Sequence, residues 1–415
     1  MNEPSLRERY RATRATTGAL AARLAPDDQL AQSMDDASPT KWHLAHTTWF
    51  FERMVLAARP GYAPVHPRYD FLFNSYYEAV GARQPRPRRA LITRPTLDEV
   101  RAYRAEIDRR VLAIIDDLDA AGATVVRLGC EHEQQHQELI LTDAKHALFH
   151  SPLRPAYASV VAAATVSTPR ALAFVAGPDG LVEIGHAGPG FAFDNEGPRH
   201  RVWLEPFELA DRCVTNREWD AFIAAGGYRD PRYWLSDGWA TVQREGWTAP
   251  LYWDDQDGAA AEFTLAGTVP RDPDAPVCHV SFYEADAYAR WHAAHVDDGV
   301  RLPSESEWEA VAQHHAQTGN FLERGRFHPA APAAGETQLF GDVWEWTASP
   351  YVGYPRFRPL PGALGEYNGK FMCNQLVLRG GSCLSPADHL RPTYRNFFAP
   401  ATRWQMAGLR LARWR

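Results

Sequence analysis

Two textures of hydrophobic patterning divide the chain. Up to about residue 157, apolar positions recur at helical spacing between short Gly- and Pro-bearing breaks. Residues 5–24 read as a charged amphipathic helix. Ser38-Pro39-Thr40 supplies a start signal, with Ser38 or Thr40 as the cap, and a second helix is expected over 41–58. Pro95-Thr96-Leu97-Asp98-Glu99 opens a third over 96–118, and a fourth is expected over 125–149, free of glycine and proline from 131 to 141. Four long helices with a loop excursion between the second and third predict an up-and-down bundle, a usual place for a core metal site.

Residues 158–170 turn Ala/Val/Ser/Thr-rich and end at Thr168-Pro169-Arg170, which reads as a connecting strap. Beyond it the helical period fades. Short β-type runs at 201–204 and 375–379 alternate with Gly, Pro, Asn and Asp clusters, and short helices are expected at 216–225 and 281–295. The division is therefore 1–157 as a helical bundle, 158–170 as a linker and 171–415 as a loop-rich, aromatic α+β domain without internal repeats.

A chain of 415 residues exceeds one ordinary core, in keeping with more than one domain. A net charge of −7 offers no global attraction to nucleic acid or anionic membrane, so neither is expected as a partner. Five scattered cysteines, an odd number, argue against a disulfide framework; Cys373 and Cys383 read as buried thiols. Met1-Asn2-Glu3-Pro4 lacks the regions of a secretory signal, and no apolar run is long enough to span a membrane. A cytoplasmic protein is expected. Its oligomeric state is not legible.

The densest chemistry lies in His132-Glu133-Gln134-Gln135-His136. Residues four apart share a helix face, so both imidazoles can point at one ion. A third ligand is sought in Trp42-His43-Leu44-Ala45-His46, with His46 the best placed. Imidazole suits zinc as well as iron, so the ligands alone leave the metal open.

Five further stretches carry a resemblance: Asp211-Arg212-Cys213-Val214-Thr215-Asn216; Val280-Ser281-Phe282-Tyr283-Glu284-Ala285; Arg301-Leu302-Pro303-Ser304-Glu305-Ser306-Glu307-Trp308-Glu309; Gly341-Asp342-Val343-Trp344-Glu345-Trp346-Thr347; and Leu378-Arg379-Gly380-Gly381-Ser382. On these the second half resembles the formylglycine-generating or sulfatase-modifying fold, a relative of C-type lectins. The first half resembles the damage-inducible-B-like four-helix bundle. In this order the two resemble the ergothioneine-type sulfoxide synthases and the related selenoneine synthases.

The resemblance implies a non-heme iron(II) held by His46, His132 and His136, with His43 behind the site or at the surface. It also implies hercynine, the trimethylated histidine, as substrate. Asn396 and Phe397 of Thr393-Tyr394-Arg395-Asn396-Phe397-Phe398 would meet its carboxylate and its cation, since a quaternary ammonium is best cradled by aromatic faces. Enzymes of the family that use γ-glutamylcysteine carry an acidic residue after the Asn-aromatic pair, where Phe398 stands here. Phe73-Asn74-Ser75-Tyr76-Tyr77 instead resembles the branch that uses free cysteine, which makes Tyr77 or Tyr76 the proton donor. Arg86 or Arg89 would hold a donor carboxylate, and Gln135 counts among the substrate contacts.

Departures at Gly341-Asp342-Val343, where Asn is commoner than Asp, and at Gln405-Met406-Ala407 leave the donor open between a thiol and a selenosugar. The expected reaction is O2-dependent C–S or C–Se bond formation at the imidazole C2. Its rivals are a zinc-dependent thiol transferase or hydrolase, and a ligand-binding module without catalysis. The ligands fall early in the chain and the hercynine contacts near its end, so this chemistry needs the two halves to meet.

Overall fold

The computed structural model describes residues 4–158, 170–255, 258–333 and 335–415. Apart from its two end residues, the strap expected at 158–170 lies outside these. The chain forms two compact units: Met1–Ala158 with Leu360–Tyr367, and Ser159–Pro359 with Asn368–Arg415. The first unit thus includes a short segment that arrives from late in the sequence.

Four long helices build the first unit: α1 (Leu6–Ala21), α2 (Thr40–Phe51), α4 (Leu97–Leu112) and α5 (Ala120–His150), with a short α3 (Tyr69–Phe73) in the excursion. Helices α1 and α4 begin with capping boxes, Ser5 with Glu8 and Thr96 with Glu99. The start of α2 differs from the expected cap. Pro39 takes the N-cap position without a side-chain bond, while the Ser38 hydroxyl accepts from Arg89 and its N–H donates to Asp143. The second helix leaves α geometry early and ends in a π turn, Glu52–Leu56; α4 stops short of the expected 118 and a 3-10 turn, Ile115–Asp117, follows.

Helix α5 packs on α1 and α2. The approach is close at Gly129, where a Cβ would stand 2.4 Å from Phe51 and 3.0 Å from Phe50. A larger residue there would push α5 off α2 only one turn before His132. On another face of α5, the buried Glu133 accepts from Arg14 at 2.8 Å and from Arg104. Burial opposes its charge, but the two guanidiniums outweigh that and hold the carboxyl at about 2. This ion cluster pins α5 to α1 and α4.

The second unit carries two four-stranded sheets. One runs β1 (Phe174–Ala176), β4 (Phe207–Ala210), β12 (Ala412–Trp414), β7 (Val300–Arg301), all antiparallel. The other runs β10 (Asn396–Phe398), β9 (Leu376–Arg379), β8 (Trp344–Pro350), β11 (Ala407–Leu409), with β11 parallel to β8. Hairpins β2–β3 (Gly180–Ile184, His200–Leu204) and β5–β6 (Ala261–Thr264, Gly267–Pro270) complete it. Helices α6 (Asn216–Ala224), α8 (Phe282–His295) and α9 (Glu305–Ala312) each open with a capping box led by Thr215, Ser281 and Ser304, and α7 (Ser236–Glu245) lies between the first two.

The motif residues are the unit's buried frame. Arg379 bridges Glu305 and Glu309 at 2.9 Å each, Arg410 meets Glu345 at 2.7 Å, and Trp308 donates to Glu345 at 2.7 Å. All five cysteines are free thiols; Cys383 is buried but Cys373 is exposed, which corrects the expectation of two buried thiols. Among the described residues no helix is long and apolar enough to cross a membrane.

Candidate metal and substrate site

Helix α2 supplies His46 and α5 supplies His132 and His136, one turn apart as their spacing requires. All three are buried, and one ligand atom from each lies within 4.8 Å of the others. His46 Nδ1 stands 2.6 Å from the Phe73 carbonyl, an oxygen that can only accept, so this nitrogen carries the proton. The lone pair of Nε2 is left facing His132 Nε2 at 3.2 Å. His132 Nδ1 is buried and has no partner among the described residues. Trp42 stacks on the His46 ring at 4.5 Å between centroids, and Trp49 at 5.7 Å.

Burial first, then the neighbouring imidazoles, pushes His46 and His136 well below the ordinary histidine value; burial brings His132 down to about 3. Three uncharged imidazoles, converging without a carboxylate among the described residues, suit a transition metal with coordination positions left for exogenous ligands. Their ligand atoms, within 4.8 Å of one another, fit such an ion.

His43 is no surface histidine. It is buried, with Nδ1 at 2.8 Å from His136 Nδ1 and Nε2 at 3.0 Å from Asp143. Gln135 is half-buried on the same stretch of α5 and accepts from the Tyr367 hydroxyl. Tyr77 is fully buried, its ring 5.8 Å from Trp49 and 6.5 Å from Phe50, which in turn lies 4.8 Å from His132. Tyr76 packs on Tyr77 at 4.7 Å and near Tyr367 at 6.1 Å. Burial raises both phenols, Tyr77 well above its ordinary value.

The two arginines separate. Arg86 is exposed and lies 3.4 Å from Asp36. Arg89 is buried, 3.4 Å above the Trp42 ring, and donates to Ser38 and Ser75. Among the described residues no carboxylate pairs with it, and its Nε is buried without a partner. Burial, helped by Arg86, brings its guanidinium down to about 8, while Asp143 opposes the shift.

Asn396 and Phe397 belong to the second unit, on β10. Phe397 stacks on Tyr351 at 4.0 Å and 10°, with Phe371 at 5.8 Å. The Asn396 amide oxygen accepts from the Phe397 N–H, which leaves its NH2 for an acceptor. Arg395, next to them, is spoken for by a bidentate pair with Glu305 at 2.9 Å.

Three residues at the site escaped the sequence reading. Tyr367, its ring 5.6 Å from His132, comes from the returning segment. Beside it Glu366 accepts from the N–H groups of Glu78 and Ala79, both at 2.9 Å, directly after Tyr77. Asp143 was readable only as one more polar position seven residues beyond His136, on the same helix face.

The DinB superfamily profile matches residues 9–140, and the sulfatase-modifying factor enzyme 1-like domain matches 159–334 and 324–415. The hercynine oxygenase of Mycolicibacterium thermoresistibile is 33% identical over 93% of this chain and 90% of its own. That of Mycolicibacterium smegmatis is 34% identical over 90% of this chain and 91% of its own. The chain belongs to the hercynine oxygenase family. This family member therefore joins a DinB-like helical unit to a domain of the sulfatase-modifying type. A formylglycine-generating enzyme of Thermomonospora curvata, 33% identical, matches 51% of this chain and 82% of its own.

Proposed function

We propose that the chain joins the imidazole C2 of hercynine to the sulfur or selenium of a thiol or selenol donor, in a reaction that uses iron(II) and O2. The observation that carries this reading is the set of three buried, uncharged imidazoles, in a chain whose relatives are named hercynine oxygenases. Iron(II) held by His46, His132 and His136 would supply O2 activation and open positions for the donor. In balance, the imidazole C–H and donor S–H bonds break and a C–S bond forms. O2 is fully reduced, with one oxygen atom ending on sulfur and the other in water. Selenium follows the same count.

The protein's own groups have distinct tasks. Tyr77, or Tyr76 beside it, stays protonated at neutral pH and delivers a proton near the triad. Arg89, with Arg86 nearer solvent, draws in a donor carboxylate, and Gln135 orients the bound substrate. The Phe397–Tyr351 stack offers an aromatic face to the quaternary ammonium, and Asn396 offers its NH2 to the hercynine carboxylate. The free thiols support residence in a reducing cytoplasm.

The test is metal analysis of anaerobically purified protein, followed by turnover with hercynine plus cysteine or a selenosugar, read by mass spectrometry and O2 uptake. Iron, O2 consumption and a C2-substituted product are expected. Zinc without O2 uptake would make the protein a thiol transferase or hydrolase. Binding without metal or turnover would make it a ligand-binding module. His132→Ala is expected to lose iron while keeping the helical content of the whole chain.

A further inference from the structure

A hydrogen-bonded chain runs from a carboxylate to the back of one ligand imidazole. Asp143 Oδ2 is 3.0 Å from His43 Nε2, and His43 Nδ1 is 2.8 Å from His136 Nδ1. All three residues are buried. The carboxylate can only accept, so His43 carries its proton on Nε2, and its Nδ1 is then the acceptor. His136 must donate from Nδ1, which leaves the lone pair of its Nε2 for the shared point between the three imidazoles. The same Asp143 oxygen accepts the Ser38 N–H at 2.8 Å, and the Ser38 hydroxyl accepts from Arg89 at 2.8 Å. The carboxylate is therefore fixed from the start of α2.

We propose that Asp143 and His43 are a positioning pair for the metal: together they fix the tautomer and ring orientation of His136 and make it a stronger donor. His46 gets the equivalent service from a neutral backbone carbonyl, the Phe73 oxygen at 2.6 Å. Among the described residues His132 Nδ1 has no such partner. The three ligands are thus unequal, and His136 alone is backed by a full negative charge relayed through an imidazole. Outer partners of this kind typically change metal affinity 10- to 100-fold when removed.

The inference rests on the metal-site reading above, and cobalt(II) binding to the full-length wild-type protein tests that reading first. If wild type does not bind cobalt, iron or zinc, the site itself is wrong. Given wild-type binding, Asp143→Asn and His43→Gln are each expected to weaken cobalt(II) binding roughly 10- to 100-fold. Each should also shift the cobalt visible absorption bands. The double variant should lose little more than either single one, because both act on one chain. Asp143→Glu should recover part of the affinity. Affinity within twofold of wild type together with unchanged bands in either folded variant would overturn the proposal. If Asp143→Asn does not fold, judged by circular dichroism, His43→Gln decides alone on the same criteria.

Discussion

The Tyr367 hydroxyl donates to the side-chain oxygen of Gln135, although the two residues stand 232 positions apart in the chain. The bond ties the returning segment to the helix that carries His132 and His136. Phenylalanine at Tyr367 would keep the ring against His132 and remove only the hydroxyl. Tyr367→Phe is expected to retain wild-type metal content and lower kcat roughly tenfold, the effect of about one lost hydrogen bond in the reacting geometry. Equal kcat in the two proteins would show that the bond has no part in turnover.

Tyr77 and Tyr76 are separable by product. Tyr77 is fully buried, its ring beside those of Trp49 and Phe50. Tyr77→Phe is expected to slow C–S or C–Se bond formation and to raise the share of donor that is merely oxidised. Tyr76→Phe should change that share less. Mass-spectrometric partition ratios decide it; if both variants match wild type, neither residue is the proton donor.

Arg89 faces the donor question directly. A buried guanidinium stacked on Trp42 and, among the described residues, bonded to the Ser38 and Ser75 hydroxyls gains from an incoming carboxylate. Arg89→Met is expected to raise the donor KM by roughly tenfold or more, about the worth of one charge-assisted hydrogen bond, with hercynine KM little changed. Arg86→Met, at an exposed position, should have a smaller effect. Equal effects on both substrates would assign Arg89 to the frame of α2 and not to the donor.

Periodicity reached α1 and α4 because each buries one face, whereas α2 is buried all round; the i, i+4 histidines follow from helix geometry alone. Helix ends were less legible. The π turn at Glu52–Leu56 leaves no mark on an apolar pattern, and Ser38 is drawn from capping into the Asp143–Arg89 network. The frame of the second unit was visible as motifs, whose conspicuous charges turn out to be buried partners such as Arg379 with Glu305. Long-range returns are invisible to local pattern. Nothing about Glu366 or Tyr367 in the sequence says that they fold against residues 78 and 135, since the 3-10 turn at Gly362–Glu366 has no amphipathic period. His43 was read as lying behind the site or at the surface, but Asp143 was hidden for another reason: a polar residue at helical spacing reads as solvated unless its partner is known.

Asp342 replaces the commoner Asn of its motif and gives the protein a measurable pH signature. It is buried, accepting from Asn320, Ala330 and Gln338. Burial pushes its carboxyl up from 3.8 to about 6, against the pull of those hydrogen bonds. An acid that titrates higher in the folded state holds a proton the unfolded chain has lost. Its contribution is therefore fully present below 3.8 and is lost as pH rises through about 6. Asparagine at 342 would keep one acceptor oxygen for Asn320 and Ala330, turn its NH2 toward Gln338, and carry no charge. Stability measured by denaturant titration should therefore favour Asp342→Asn over wild type more at pH ~7 than at pH ~4.5, by about 2 kcal/mol for the part of the window crossed. A difference between the two proteins that stays constant over this range would mean that Asp342 is not forced to ionise in a buried place.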